Sequence, residues 1–350
     1  MNTMTAARYH SDTKIFALEQ VSIPEPGRGE VLVRVEACGI CMSDVHLIEG
    51  LLPPPIPDVT PGHEAAGTIA AIGPDVPDRW KDGARVVLTP GRACRRCENC
   101  VRGMGADACT DLQVMGAYYD GAWAQYVVVG YEQLVAVPES IPLAQAAILA
   151  DAVTTPYAAL VDTAAVGPSR SVGIWGLGGL GTHAVQIARL AGAAPIIALD
   201  PVPATRERAL RLGADIALDP TDPTHLDEIR RVTKGSGLDI AAEFVGVNAV
   251  RAQAVAALGQ GGKAVLVGLT PEPITLADPF TFQLRMQEVR GHLGGGLRHL
   301  EELVELVELG RLDVSGSVTA TMPLTDIADG IAQLNARQGN PVRLVVLPQA

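Results

Sequence analysis

Apolar and polar residues alternate along "GEVLVRVEAC", where Val31, Val33 and Val35 fall every second position, the period of a half-buried strand. "AAGTIAAIG", "DGARVVLTP" and "GAWAQYVVV" have the same texture, divided by Gly, Pro and Asp. Short strands this close together predict a small barrel-like domain up to about residue 150. The period then changes. "SVGIWGLGGLG" reads as a strand and a glycine loop, "THAVQIARLAG" as a helix, "APIIALD" as a strand, "ATRERALRLGAD" as a helix stopped at Gly213 and "DIALD" as a strand. A polar helix over 224–234, strand "LDIAAEFVG", a helix over 248–258, strand "GKAVLVGL" and strand "QEVRGHL" complete the series. Six strands alternating with helices predict a doubly wound parallel sheet. Residues 297–309 space Leu300, Leu303, Val304 and Val307 as an amphipathic helix, and "VRLVVLP" reads as a closing strand.

Composition narrows the partners. The chain has 350 residues, 48% of them hydrophobic and 19% charged, as in a globular protein of two domains. A net charge of −12 disfavours nucleic acid and anionic membrane surfaces. The longest apolar run, 141–166, contains Pro142, Asp151, Pro156 and Asp162 and does not read as a membrane span; the N-terminus, "MNTMTAARYHSDTK", is polar. A soluble, cytoplasmic protein is expected. Six clustered cysteines suit metal better than a disulfide scaffold.

Three motifs carry candidate chemistry. In "GLGGLG", Gly176, Gly178 and Gly181 match G-x-G-x-x-G, with Gly179 and Leu180 inside the loop. The loop follows a strand and opens a helix, and Asp200 ends the next strand, the setting of a dinucleotide site. Asp200 would accept ribose hydroxyls and repel a 2′-phosphate, favouring NAD, while Arg206 keeps NADP open. Second, Cys94, Cys97, Cys100 and Cys109 follow C-x2-C-x2-C-x8-C, able to close a tetrahedral structural zinc site. Third, "CGICMSDVH" holds Cys38, Cys41, Ser43, Asp44 and His46, and by itself it does not separate half a zinc site from a redox dithiol or two buried thiols.

With "GHEAAG", "YDGAWAQYVVV", "DAVTTPYAAL" and "RALRLGAD" beside these motifs, the chain resembles, over almost its whole length, the zinc-dependent alcohol dehydrogenase branch of the medium-chain dehydrogenase/reductase superfamily. The resemblance implies an α/β fold, a GroES-like barrel-type catalytic domain with a Rossmann doubly wound sheet inserted. The expected boundaries are 1–151 catalytic, 152–294 NAD-binding and 295–350 returning to the catalytic domain. It implies two zinc ions, NAD, a small alcohol or carbonyl substrate and a homodimer or homotetramer. Cys41, His63 and Asp151 would hold the catalytic zinc, Asp151 as in the Asp-ligated relatives, several of which act on secondary alcohols and ketones. Glu64 would lie beside the metal, binding it at most transiently. Asp44 would orient His63, and Cys38 would only pack.

Three protein donors leave one position for an alcohol oxygen, as catalytic zinc requires. Ser43 resembles the first acceptor of the alcohol proton and His46 the end of the relay. Backbone groups at Val267, Leu269 and Leu293 would flank the nicotinamide, and Arg343 matches a cofactor-contacting arginine. Leu47 and Thr89 would line the substrate pocket. Two departures stand out: one extra residue before Cys109, expected as a bulge near "RGMGADA", and Met42 where some relatives carry a basic residue. The alternatives are a polyol or amino-alcohol dehydrogenase on the same scaffold, or a nucleotide-binding relic without catalysis.

Overall fold

The structure is a computed structural model that describes residues 2–104 and 106–350. Two compact units emerge, one running up to Thr154 and resuming at Gly296–Ala350, the other Thr155–Gly295. Among the described residues, the first unit holds β1 (Thr3–His10), β2 (Ile15–Ser22), β3 (Glu30–Ile40), β4 (Asp58–Val59), β5 (Glu64–Ile72), β6 (Arg85–Leu88), β7 (Gly91–Arg92), β8 (Gln113–Val114), β9 (Tyr126–Gly130) and β10 (Leu134–Ala136). The second holds β11 (Val172–Trp175), β12 (Ile196–Leu199), β13 (Ile216–Leu218), β14 (Leu238–Glu243), β15 (Leu258–Leu266) and β16 (Glu288–Gly291); β17 (Val318–Pro323) and β18 (Arg343–Leu347) return to the first.

The first unit is organised by β3, whose valines at 31, 33 and 35 are fully buried while Glu30, Arg34 and Glu36 stay half-buried. The main sheet runs β10-β6-β5-β3-β18-β17, with β9 also on β3; a second sheet runs β2-β1-β4. Val33, Val35, Ile69, Val86, Trp123, Leu344 and Val346 share its core. Antiparallel pairing sets Gly39 opposite Glu64 and Ile40 opposite Leu344. The end of β3 and the starts of β5 and β18, three interior strands, therefore meet at one end of the sheet. Cys41, His63 and Arg343 stand there, and this end is the scaffold of the site.

The second unit is one all-parallel sheet in the order β13-β12-β11-β14-β15-β16. That order reverses direction between β11 and β14, and in such sheets ligands bind at the carboxyl ends of the strands flanking the reversal. Trp175, Ile197, Leu199, Leu238 and Leu258 fill the core.

The sequence pattern did not show the β1–β2 hairpin, β17 or the helix Ile327–Asn335. The apolar run at 141–166 becomes a helical run, Leu143–Thr163, long and apolar enough to cross a membrane; 72% of its window is buried within the protein, as in a core helix. The bulge expected near "RGMGADA" rests partly on Gly105, which lies outside the described residues.

Candidate active site and cysteine lobe

At the end of β3 the chain turns directly into helix α1 (Met42–Ile48), with Cys41 as its N-cap. Asp44, 3% exposed, ties the turn together. Its Oδ2 accepts the Cys41 N–H at 3.1 Å, and its Oδ1 accepts the Gly62 N–H at 3.1 Å and lies 3.0 Å from His63 Nδ1. One carboxylate thus fixes two remote segments. With His63 Nδ1–H donating to Asp44, the Nε2 lone pair of the neutral ring is left for a ligand. Asp151 comes from a π-helical stretch, Leu149–Val153, inside the long helical run. Its Oδ2 lies 3.4 Å from Cys41 Sγ and 3.5 Å from His63 Nε2.

These separations test the fit of a metal. Zinc bonds of about 2.0–2.3 Å in a tetrahedron place neighbouring oxygen, nitrogen and sulfur donors about 3.3–3.5 Å apart. Donor atoms of Cys41, His63, Glu64 and Asp151 all lie within 4.8 Å of one another. The set of thiolate, imidazole and carboxylate suits zinc. Burial works against a charged His63, but Asp44 and Asp151 outweigh it and raise its pKa well above the usual imidazole value.

Glu64 is fully buried, and burial pushes its carboxyl up to about 8 against the pull of Arg343. Arg343 Nη2 approaches Glu64 Oε1 to 2.8 Å without hydrogen-bond geometry, and its Nη1 donates to the Ile40 carbonyl at 3.3 Å. The glycine of "CGIC" makes room for this pair: a Cβ on Gly39 would lie 2.0 Å from Glu64 Oε2. That glycine is the signal of a close approach which sequence reading passed over. Arg343 itself is 2% exposed and belongs to the first unit, whereas the glycine loop belongs to the second.

Ser43 Oγ lies 3.6 Å from Cys41 Sγ, and His46 follows one turn later on the same face of α1. Cys38 is fully buried within β3, its thiol aimed at the Gly39 carbonyl and its pKa raised by burial; it is not part of the donor cluster. Leu47 and Thr89 are buried, at 5% and 5% exposure.

The cysteine lobe gathers separately. Cys94 and Cys100 place their sulfurs 3.9 Å apart, Cys97 and Cys109 4.0 Å, close to the sulfur–sulfur edge of about 3.8 Å in a tetrathiolate zinc site and far from a disulfide bond. Backbone N–H groups point at the sulfurs, from Cys97 to Cys94 and from Cys100 to Cys97. The Cys100 N–H and Thr110 lower the Cys97 thiol to about 5, while desolvation and the neighbouring thiols raise Cys100 to about 12. A cavity of about 280 Å³ beside Cys94 is lined by Arg28, Glu30, Arg92, Arg95 and Arg96, of which Arg28, Arg95 and Arg96 pair with Asp75, Glu132 and Asp111.

In the second unit the loop Gly176–Gly178 leaves β11 and the helix Gly179–Leu190 begins, with Leu180 in its first turn. A Cβ on Gly181 would lie 1.7 Å from the Gly176 carbonyl, so helix and loop touch backbone to backbone, whereas Gly178 faces open space. Asp200 follows β12; its Oδ2 accepts the Leu177 N–H and its Oδ1 the Val202 N–H, both at 2.9 Å. Arg206 donates to the carbonyls of Asp200 and Pro201 and pairs with Asp219 at 3.2 Å. Val267 follows β15 and is buried; Leu269 and Leu293 are exposed.

Known proteins agree with this architecture. The family model for the alcohol dehydrogenase GroES-like domain matches residues 27–139, and that for zinc-binding dehydrogenases residues 179–309. L-threonine 3-dehydrogenase of Pyrococcus horikoshii is 32% identical over 315 residues, 86% of each chain. The chain belongs to the zinc-binding alcohol dehydrogenase family. Among solved structures, the alcohol dehydrogenase of Aeropyrum pernix is similar at a TM-score of 0.88 and 31% identity, over 98% of this chain and 100% of that one. Acetophenone reductase of Geotrichum candidum, in complex with NAD, is similar at 0.85 and 28%, over 99% and 98%. This family member is an oxidoreductase of the zinc-dependent alcohol dehydrogenase type, with GroES-like and Rossmann-like domains.

Proposed function

We propose that the protein interconverts a secondary alcohol and its ketone with NAD, at a zinc held by Cys41, His63 and Asp151, and that a second zinc braces the cysteine lobe. The observation that carries the reading is the meeting of three unlike donors from three remote segments: Asp151 Oδ2 lies 3.4 Å from Cys41 Sγ and 3.5 Å from His63 Nε2, the length of a tetrahedron's edge, and all the donor atoms fall within 4.8 Å of one another. When bound, zinc supplies a Lewis acid for the substrate oxygen and NAD the hydride acceptor. The protein's own residues do the rest. Asp44 holds His63 in one tautomer and orientation. The Cys41 thiolate and Asp151 carboxylate balance the dication's charge. Ser43 Oγ accepts the alcohol proton, and His46 passes it to solvent.

Asp200 accepts the ribose hydroxyls; each of its oxygens already receives one backbone N–H and keeps a lone pair. Its charge repels a 2′-phosphate, and Arg206 is engaged with carbonyls and Asp219, which supports NAD over NADP. The backbone beside Gly178 receives the pyrophosphate, with Val267, Leu269 and Leu293 along the nicotinamide. Arg343, buried with its guanidinium at Glu64 and the Ile40 carbonyl, holds Glu64 in place. The protein acts on small alcohols or carbonyls in the cytoplasm as a homodimer or homotetramer, without nucleic acid or membrane.

The threonine dehydrogenase relative favours a second reading, an amino-alcohol substrate. An NADH-formation screen over primary, secondary, polyol and amino-alcohol substrates with metal-replete protein separates the two. Secondary alcohols should give the highest kcat/KM. No NADH from any of them would overturn the enzyme reading and leave the relic.

A further inference from the structure

The second unit contains a buried acid that the chemistry above does not use. Glu243 ends β14 and is fully buried. Its Oε1 accepts the N–H groups of Val245 at 2.6 Å and Gly246 at 2.7 Å. Its Oε2 has no hydrogen-bond partner and faces Arg251 Nε at 3.6 Å. Arg251, 7% exposed, donates in turn through Nη2 to the Gly268 carbonyl at 2.7 Å. The Glu243 carbonyl accepts the N–H groups of Val267 and Gly268. The two loops so joined, 244–247 after β14 and 267–269 after β15, touch closely: a Cβ on Gly268 would lie 2.1 Å from Gly246 N.

Strand order says what these loops are for. Asp200, read above as the ribose acceptor, follows β12, and the glycine loop follows β11. A dinucleotide with its adenosine ribose at β12 and its pyrophosphate at β11 must carry its other half toward β14 and β15. Taking a carboxylate and a guanidinium out of water is costly, and an apolar pair would fill the space at less cost. What the ion pair adds is a fixed geometry for backbone groups of two loops.

We propose that Glu243 and Arg251 are positioning residues that hold the 244–247 and 267–269 loops in the shape that receives the nicotinamide half of the cofactor. The inference rests on the dinucleotide reading of this unit and deepens it.

The test compares two ligands that share the adenosine half: NADH, followed by its fluorescence, and ADP-ribose, by competition, on the full-length protein. Glu243→Ala is expected to weaken NADH about tenfold and ADP-ribose by less than about twofold, the scale of losing hydrogen bonds to a buried charged group. Glu243→Gln, which keeps an oxygen for the two N–H groups but not the charge, should fall between. If Glu243→Ala does not fold, Arg251→Met, which removes the charge facing Glu243 and the bond to Gly268 but leaves the Val245 and Gly246 N–H groups bonded to Glu243, should weaken NADH about threefold and spare ADP-ribose. Equal loss of both ligands, or loss of neither, in folded variants overturns the positioning role alone. A wild-type protein that binds neither ligand overturns the dinucleotide reading and this inference with it.

Discussion

The four lobe cysteines lie within residues 94–109, whereas Cys41 and Asp151, whose side chains meet at 3.4 Å, are 110 residues apart. The lobe is half-exposed and uniform in chemistry, its sulfurs held by N–H groups a few residues away. The other cluster is assembled from strand ends, an N-cap and a π-turn, with Cys41, His63 and Glu64 buried. Four identical donors close a tetrahedron and leave nothing for a substrate; three unlike donors leave a corner. The difference teaches that a set of four like donors needs only a short loop, while a mixed set needs the fold to bring its parts together.

The comparison breaks most visibly at Cys41. Cys41→Ser should lower kcat/KM at least about a thousandfold and halve the zinc content by elemental analysis. Cys38→Ser, three residues away in a packed strand, should keep both ions and change turnover by less than about threefold. Equal damage from the two would mean the opening motif acts as a dithiol. Next in size, Cys109→Ser should empty the lobe and lower the melting temperature by about 5–10 °C in calorimetry, with the Cys41 site still loaded. Loss of both ions together would show that the two sites are one cooperative structure.

Asp44→Asn sharpens the contrast without removing a donor. Zinc affinity at the buried site should fall about 10–100-fold in a chelator competition, with the lobe unchanged. An unchanged buried-site affinity would reduce Asp44 to a helix cap. The smallest effect concerns order. A limiting thiol reagent should release the lobe ion first, about tenfold faster, because its cysteines are half-exposed and Cys41 is buried. Release from the Cys41 site first would contradict the burial argument.

How legible each region was follows from the range of the physics. In the second unit, strand and helix periods are local, and five of the six strands lie where the pattern puts them; β15 starts four residues early, at Leu258, across the glycines that carry no hydropathy signal. The lobe was legible from cysteine spacing alone. The Cys41 cluster was not: nothing local marks Asp151, which lies in a run apolar on nearly every side and therefore without helical period, and it entered through family resemblance. The Arg343–Glu64 pair depends on register between strands that sequence does not display, and the Glu243–Arg251 pair on how the helix Asn248–Ala256 packs back on the end of β14. A hint was present in each case, an acid set in an otherwise apolar stretch, "GHEAAG" and "LDIAAEFVG".

Anomalous diffraction at the zinc edge from crystals of the metal-replete protein tests the central claim most directly. The account predicts two peaks per chain, one within bonding distance of Cys41 Sγ, His63 Nε2 and an Asp151 carboxylate oxygen, the other among the four lobe sulfurs. A single peak in the lobe, or a first peak ligated by some other side chain with Asp151 turned away, would contradict it.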